Sequence, residues 1–103
     1  MAQWQDVAAA DAVTEDVPLA VSVGALPLAL FRIGNDVFAL LDRCSHGQAR
    51  LSDGYVEDGC VECPLHQGLI DIRTGAPRRP PITEPVQSYP ARVRNGRIEV
   101  EII

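Results

Sequence analysis

The sequence is short of basic residues and has no long hydrophobic run. Nine basic residues stand against 14 acidic ones in 103 residues, so the formal net charge is −5. A surplus of acid argues against a nucleic-acid partner, because phosphate backbones are bound by basic surfaces. The first basic residue is Arg32, and no stretch is apolar enough to span a bilayer. Neither a secretory signal nor a membrane segment is therefore expected.

Cysteine and histidine are scarce too, but they are not scattered. All three cysteines and both histidines lie between residues 44 and 68. An odd number of cysteines cannot close a disulfide framework, and we expect a cytoplasmic protein, whose ordinary thiols stay reduced. The clustered cysteines and histidines are therefore interpreted as metal ligands.

Repeats, low-complexity tracts and helical periodicity are absent, and the remaining signals are those of strands. Apolar runs predict strands at 17–23, 26–33 and 37–41, and a hairpin at 91–102 turns at Asn95-Gly96. The proline-rich segment Gly75–Pro85 suits an extended loop. One turn around Asp11–Asp16 is the only helical candidate. The sequence predicts one all-β domain, a small antiparallel sandwich or barrel.

Two short motifs pair a cysteine with a histidine. Cys44-Ser45-His46 has the pattern CxH, and Cys63-Pro64-Leu65-His66 has the pattern CxxH, with sixteen residues between His46 and Cys63. The first pair follows the strand predicted at 37–41, and the second follows a short predicted strand, Cys60–Glu62. Each pair offers one thiolate and one imidazole. Four such ligands suit a two-iron cluster, each iron taking one residue from each loop. They also suit a structural Cys2His2 zinc site, although zinc fingers usually place both cysteines before both histidines.

The third cysteine, Cys60, forms a CxxC pattern with Cys63 that would by itself suggest zinc binding or a redox disulfide. If residues 60–63 are extended, however, Cys60 and Glu62 share one face while Val61 and Cys63 share the other. The two sulfurs then diverge. We interpret Cys60 as a partly buried strand residue that is not a ligand.

The motifs and their surroundings resemble the Rieske [2Fe-2S] ferredoxins of bacterial aromatic-ring-hydroxylating oxygenase systems, such as those for naphthalene and biphenyl. The similar stretches are HGQARLSDG, HQGLIDIRTG, the proline-rich loop Pro77–Pro85 and VQSYPARVRNGRIEV. The resemblance implies a single Rieske domain over residues 1–103. In it a cluster-binding part at about 43–82, made of two ligand loops and a proline-rich loop, is inserted into a basal β domain.

The resemblance also implies the ligands. One Rieske-type [2Fe-2S] cluster per chain would be held by Cys44 and Cys63 on one iron, and by the Nδ1 atoms of His46 and His66 on the other. Two positions depart from the pattern: Ile70 stands where an aromatic residue is usual, and Gln67 replaces a common glycine. Both are supporting positions, so they bear on the surroundings of the cluster.

The function implied is that of a one-electron carrier and not of an enzyme. Such a chain passes electrons from a flavin-dependent ferredoxin reductase to a terminal oxygenase through transient contacts, and we expect a monomer. A catalytic oxygenase subunit would need two further histidines for its mononuclear iron. High-potential members carry extra cysteines where Gln48 and Leu65 stand here, which indicates a low reduction potential. An acidic window, Asp53–Glu62, is either a docking surface or a solvated loop.

Overall fold

The computed structural model describes residues 3–45, 48–65 and 67–102, and β-strands dominate these ranges. The prediction of an all-β chain is confirmed. Helical structure in these ranges is limited to two 3₁₀ turns, Ala10–Ala12 and Leu51–Asp53, and the former replaces the longer turn predicted around Asp11–Asp16. The strands are β1 (Gln3–Ala9), β2 (Leu19–Val23), β3 (Leu26–Ile33), β4 (Asp36–Leu41), β5 (Tyr55–Glu57), β6 (Cys60–Glu62), β7 (Leu69–Asp71), β8 (Pro77–Arg79), β9 (Ser88–Tyr89), β10 (Ala91–Arg94) and β11 (Arg97–Ile102).

The strands form three antiparallel sheets. Their orders are β1-β11-β10, β2-β3-β4-β9 and β5-β6-β7-β8. The first two sheets use the two ends of the chain, and β1 lies near β2 while β10 lies near β4. The third sheet comes from the middle of the chain, between β4 and β9. No helix within the described ranges is long and apolar enough to cross a membrane.

The second sheet, β2-β3-β4-β9, is buried on both faces. On β3, Leu28 and Leu30 enter a core shared with the first sheet, whereas Ala29 and Phe31 enter a second core shared with the third sheet. All four side chains are at most 1% exposed. Successive residues of a strand point to opposite faces, so burial on both faces requires apolar residues at every position. This explains why β3 is encoded as a continuous apolar run instead of an alternating one.

The hairpin predicted at 91–102 is present and turns at the predicted residues. Asn95 and Gly96 both have positive φ, 52° and 75°, as a two-residue turn of the I′ type requires. In β11, Ile98 and Val100 are fully buried and alternate with more exposed charged residues. The hairpin therefore buries one face against the first core, as its alternating pattern predicts.

Strand β1 was not predicted from the sequence. Among its seven residues only Ala8 is buried, and a register shift between Asp6 and Ala8 interrupts its pairing with β11. A bulge of this kind breaks the two-residue alternation that a sequence pattern reports. Strand β8 in the proline-rich segment is an edge strand, the position that proline tolerates.

Candidate metal centre

Cys44 and Cys63 each begin a loop that leaves a sheet. The backbone N–H of Cys44 donates to the carbonyl of Ala49 at 2.9 Å, and that of Cys63 donates to the carbonyl of Gly68 at 2.9 Å. We call Cys44–Ala49 the first ligand loop and Cys63–Gly68 the second ligand loop. Both hydrogen bonds span five residues, so the two loops close in the same way although their motifs differ in length.

The sulfur-bearing residues of both loops lie in one apolar core. Cys44 is 1% exposed and Cys63 is fully buried, and both belong to the second core. Ile70 is fully buried in the same core, so the aliphatic residue at this position serves packing. A pair of cysteines shielded from water, one from each of two similarly closed loops, fits the cysteine half of the predicted ligand set.

His46 and His66, the predicted imidazole ligands, lie outside the described residues, as does Gly47. Within the ranges that are described, which hold no histidine, three or more metal-ligating side chains do not come together at any point. The assignment of the two histidines therefore stays a prediction.

Cys60 lies apart from the other two cysteines. On β6, Val61 is fully buried and belongs to the second core, together with Cys63. Cys60 is 9% exposed, is not part of that core, and pairs in register with Glu57 and Asp71. The alternation expected for residues 60–63 is thus present, and it separates the environment of Cys60 from that of Cys63.

A buried carboxylate anchors the first ligand loop. The Asp42 side chain is 1% exposed, and no other charged residue is buried in the described part of the chain. Its Oδ1 accepts the backbone N–H of Ser52 at 2.8 Å and its Oδ2 accepts the Ser52 hydroxyl at 2.6 Å. Arg50 Nε lies 3.5 Å from Oδ2. Asp42 precedes the loop and Ser52 follows it, so these contacts tie its two ends together.

The proline-rich segment contacts both ligand loops. The Ser45 hydroxyl donates to the carbonyl of Glu84 at 2.7 Å. In the second loop the carbonyl of Gln67 accepts from Arg79 twice, from Nε at 3.2 Å and from Nη2 at 2.6 Å. None of these contacts was anticipated from the sequence, because the partners lie 39 and 12 residues apart.

At Gly68 the second ligand loop packs closely against the proline-rich segment. A Cβ atom added there would lie 2.3 Å from Cγ1 of Ile82 and 3.2 Å from the carbonyl oxygen of Arg79. Ile82 is 3% exposed and belongs to the second core. Glycine is therefore required by packing at this position, since a side chain would displace Ile82.

Charge is distributed unevenly along the chain. Residues 43–82 carry five arginines and five acidic side chains, so the whole net charge of −5 resides in the remainder. Glu57 and Asp58 line a groove with Glu15 and Asp16 at the β5–β6 turn. That turn lies at the end of β6 away from Cys63, about 10 Å along the strand. These carboxylates do not adjoin the second ligand loop, and their role in docking stays a prediction.

Comparisons with known proteins identify the family. A family model described as the Rieske [2Fe-2S] domain matches residues 3–90. The anthranilate 1,2-dioxygenase ferredoxin subunit of Burkholderia cepacia is 62% identical over 102 residues, 99% of this chain and 94% of that protein. The ferredoxin component of the naphthalene 1,2-dioxygenase system of Pseudomonas putida is 36% identical over 100 residues, 97% of this chain and 96% of that protein.

Solved structures give the same result. The Sphingomonas yanoikuyae B1 ferredoxin superimposes with a TM-score of 0.93 at 30% identity, covering 98% of this chain and all of that one. A chain from the complex of reduced oxygenase and oxidized ferredoxin in carbazole 1,9a-dioxygenase has a TM-score of 0.87 at 37% identity, covering 94% of this chain and 91% of that chain.

Proposed function

The chain belongs to the Rieske [2Fe-2S] domain family, and from this premise we infer that it is the ferredoxin component of an aromatic-ring dioxygenase system. The observation that carries the inference is its 62% identity, over 99% of its length, to a protein named as such a ferredoxin subunit. The cluster supplies reversible one-electron transfer. The chain is accordingly an electron carrier and not an enzyme.

We propose Cys44 and Cys63 as the ligands of one iron, and His46 and His66 as those of the other, within a cluster-binding part at about 43–82 of a single domain. The burial of both cysteines in one core and the equal closure of both loops support the cysteine assignment. A Cys2His2 zinc module is not supported, because the matching family is defined by an iron–sulfur cluster.

The chain's own residues have two tasks in this function. The apolar second core, with Leu51, Val61 and Ile70 fully buried, keeps water from the two cysteine ligands. The anchors at Asp42, Ser45 and Arg79 hold the ligand loops in fixed positions. Contacts of this kind restrain the loops and favour a small reorganisation when the cluster gains or loses an electron, as a carrier needs.

We propose two transient partners, a flavin-dependent ferredoxin reductase as donor and a terminal oxygenase as acceptor. The second is supported by the related carbazole 1,9a-dioxygenase, whose ferredoxin forms a complex with its oxygenase. We further propose that the chain is a cytoplasmic monomer; the free thiol of Cys60 suits a reducing compartment.

The similarity also suggests which oxygenase is served. Identity to the anthranilate 1,2-dioxygenase subunit is 62%, against 36% for the naphthalene component over nearly the same length. We therefore propose an oxygenase of the anthranilate type as the electron acceptor. The aromatic substrate binds that oxygenase and not this chain.

The low potential expected from Gln48 and Leu65 remains part of the proposal. Gln48 is exposed and Leu65 is 60% exposed. Leu65 adds no polar group within the second ligand loop, and hydrogen bonds to cluster sulfurs raise the potential. We place the midpoint near the bottom of the Rieske range, on the order of −150 mV. Protein-film voltammetry giving a value above about +100 mV would reject this placement.

Stopped-flow mixing tests the carrier function. The reduced protein is mixed with the terminal oxygenase of the Burkholderia cepacia anthranilate system, and in parallel with that of the naphthalene system. We expect both to oxidise it by one electron, the first faster. A protein that holds its cluster and yet reduces neither oxygenase would contradict the carrier function, and hydroxylated product formed without any oxygenase would contradict the assignment as a non-enzyme.

A further inference from the structure

The backbone of the second ligand loop turns at a residue with an unfavourable conformation. Gln67 has φ of 59°, in the left-handed region. The other non-glycine residues with positive φ in the described ranges are Asp58 and Asn95, types whose short polar side chains tolerate it. Gln67 also donates its N–H to the carbonyl of Cys63 at 3.0 Å. The turn that closes the loop thus needs a conformation that glutamine does not favour.

Arg79 holds this turn from outside. Its guanidinium places Nη2 at 2.6 Å and Nε at 3.2 Å from the carbonyl oxygen of Gln67. Its own carbonyl accepts the N–H of Ile82 at 3.3 Å, and Ile82 packs against Gly68. No carboxylate in the described ranges lies within ion-pair distance of Arg79. The side chain therefore directs its charge at the backbone of the loop, where charge-assisted hydrogen bonds are strong.

The neighbouring Arg78 provides a contrast within the same strand. Its side chain is 58% exposed, and its Nε lies 3.9 Å from Asp71. Both arginines belong to β8 and are exposed, and only the second of them contacts the ligand loop. A substitution at Arg78 therefore removes the same charge from the same strand and leaves the loop contact intact.

We propose that Arg79 is a positioning residue that fixes the second ligand loop by holding the left-handed turn at Gln67. The inference rests on the proposed role of Cys63 as a ligand, since the loop that Arg79 fixes begins with that cysteine. Arg79 acts through the carbonyl of Gln67. It is needed because residue 67 is not glycine, which would adopt the same conformation without steric cost.

A double-mutant cycle on the cluster-loaded protein tests this coupling. The variants are Arg79→Ala, Gln67→Gly and their combination, with Arg78→Ala as the matched control. The rate of cluster loss is followed as bleaching of the visible spectrum with an iron chelator. We expect Arg79→Ala to accelerate loss about fivefold to tenfold, and Arg78→Ala to change it by less than about twofold.

The combination with Gln67→Gly distinguishes positioning from a general structural role. Glycine adopts this φ without steric cost, so the double variant should lose its cluster more slowly than Arg79→Ala alone. The EPR signal of the reduced protein should broaden in Arg79→Ala and narrow again in the double variant. A double variant that loses its cluster as fast as Arg79→Ala, or equal effects of Arg79→Ala and Arg78→Ala, would overturn the proposal.

Hydrogen exchange separates this inference from the proposed function. The peptide covering residues 63–70 is followed by mass spectrometry in the protein as purified, whatever metal it holds. Faster exchange in Arg79→Ala than in Arg78→Ala supports the positioning role of Arg79 even if the ligand assignment fails. Unchanged exchange in Arg79→Ala contradicts the positioning role of Arg79 even if the cluster is present.

Discussion

The two ligand loops close with the same hydrogen bond and are held in place by different means. The first loop is tied at its ends by Asp42, a buried carboxylate that precedes it and bonds to Ser52 beyond it. The second is held by Arg79, an exposed arginine that reaches its backbone from the proline-rich segment. Local sequence thus produces the same closure twice, and tertiary contacts anchor each loop separately. We expect damage to the first anchor to reduce folding stability, and damage to the second to loosen the cluster.

The largest expected effect is loss of the cluster, and it should be the same whichever of the two loops is changed. Replacing either cysteine by serine, Cys44→Ser or Cys63→Ser, should give protein without a stable cluster, because each loop supplies one of the two thiolates. Cys60→Ser should keep the visible spectrum, because Cys60 lies outside the core that holds the other two. Iron and acid-labile sulfide are assayed on all three variants. An unchanged cluster in either of the first two, or its loss in Cys60→Ser, would break the ligand assignment.

The next effect concerns the first loop alone. Asp42→Ala leaves the backbone N–H of Ser52 without its partner, and should lower the free energy of unfolding by about 3 kcal/mol. Asp42→Asn is the matched control, since its amide oxygen can still accept that N–H; we expect it to lose about 1 kcal/mol. Urea unfolding monitored by circular dichroism measures both. Equal stability of Asp42→Ala and the parent would show that the carboxylate anchors nothing.

The corresponding test of the second loop is one of packing. Gly68→Ala would place a Cβ atom 2.3 Å from Cγ1 of Ile82. We expect it to cost about 2 kcal/mol through overpacking. Combined with Ile82→Ala, the same change should cost less than in the parent, because the space has been opened. A Gly68→Ala variant as stable as the parent would indicate that the proline-rich segment is free to shift.

The smallest effect lies outside both loops, on the first sheet. Arg97 donates to both carboxylate oxygens of Asp6, with Nη2 2.8 Å from Oδ1, and this hydrogen bond lowers the pKa of Asp6 below its usual 3.8. A carboxyl whose pKa is lower in the folded state stabilises the fold above its unfolded pKa, and this contribution is lost as the pH falls through the folded value. Asp6→Asn should therefore lower the melting temperature slightly at pH 7.

The same variant should melt like the parent once Asp6 is protonated, at a pH below its lowered folded-state pKa. Differential scanning calorimetry at several pH values measures the difference. A difference in melting temperature that persists unchanged at the lowest pH would show that the ion pair is not its cause. At pH 7 the variant should retain its cluster, because the pair is distant in sequence and sheet from both ligand loops.

The sequence was informative where the pattern is local. The continuous run of β3, the turn at Asn95-Gly96 and the two cysteine–histidine pairs could all be read directly, because each depends on neighbouring residues. The contacts that anchor the two ligand loops could not be predicted from the sequence. Asp42 and Arg79 acquire their roles from partners 10 and 12 residues away, at positions that only the folded chain brings together.

Gln67 shows both what the local sequence reveals and what only the folded structure reveals. The sequence identifies it as a departure from the pattern of the resembled family. Its consequence became visible only from its φ of 59° and from the arginine that contacts its carbonyl. Strand β1 was missed for a comparable reason, since its bulge interrupts the alternation that would have revealed it.

The central claim is that two loops of this chain together hold one Rieske-type cluster. The most direct measurement combines metal and sulfide analysis of the purified protein with EPR of its reduced form. The account predicts about two irons and two acid-labile sulfides per chain and the spectrum of a mixed cysteine–histidine [2Fe-2S] centre. Stoichiometric zinc without sulfide, or the spectrum of a cluster held by cysteines alone, would contradict it.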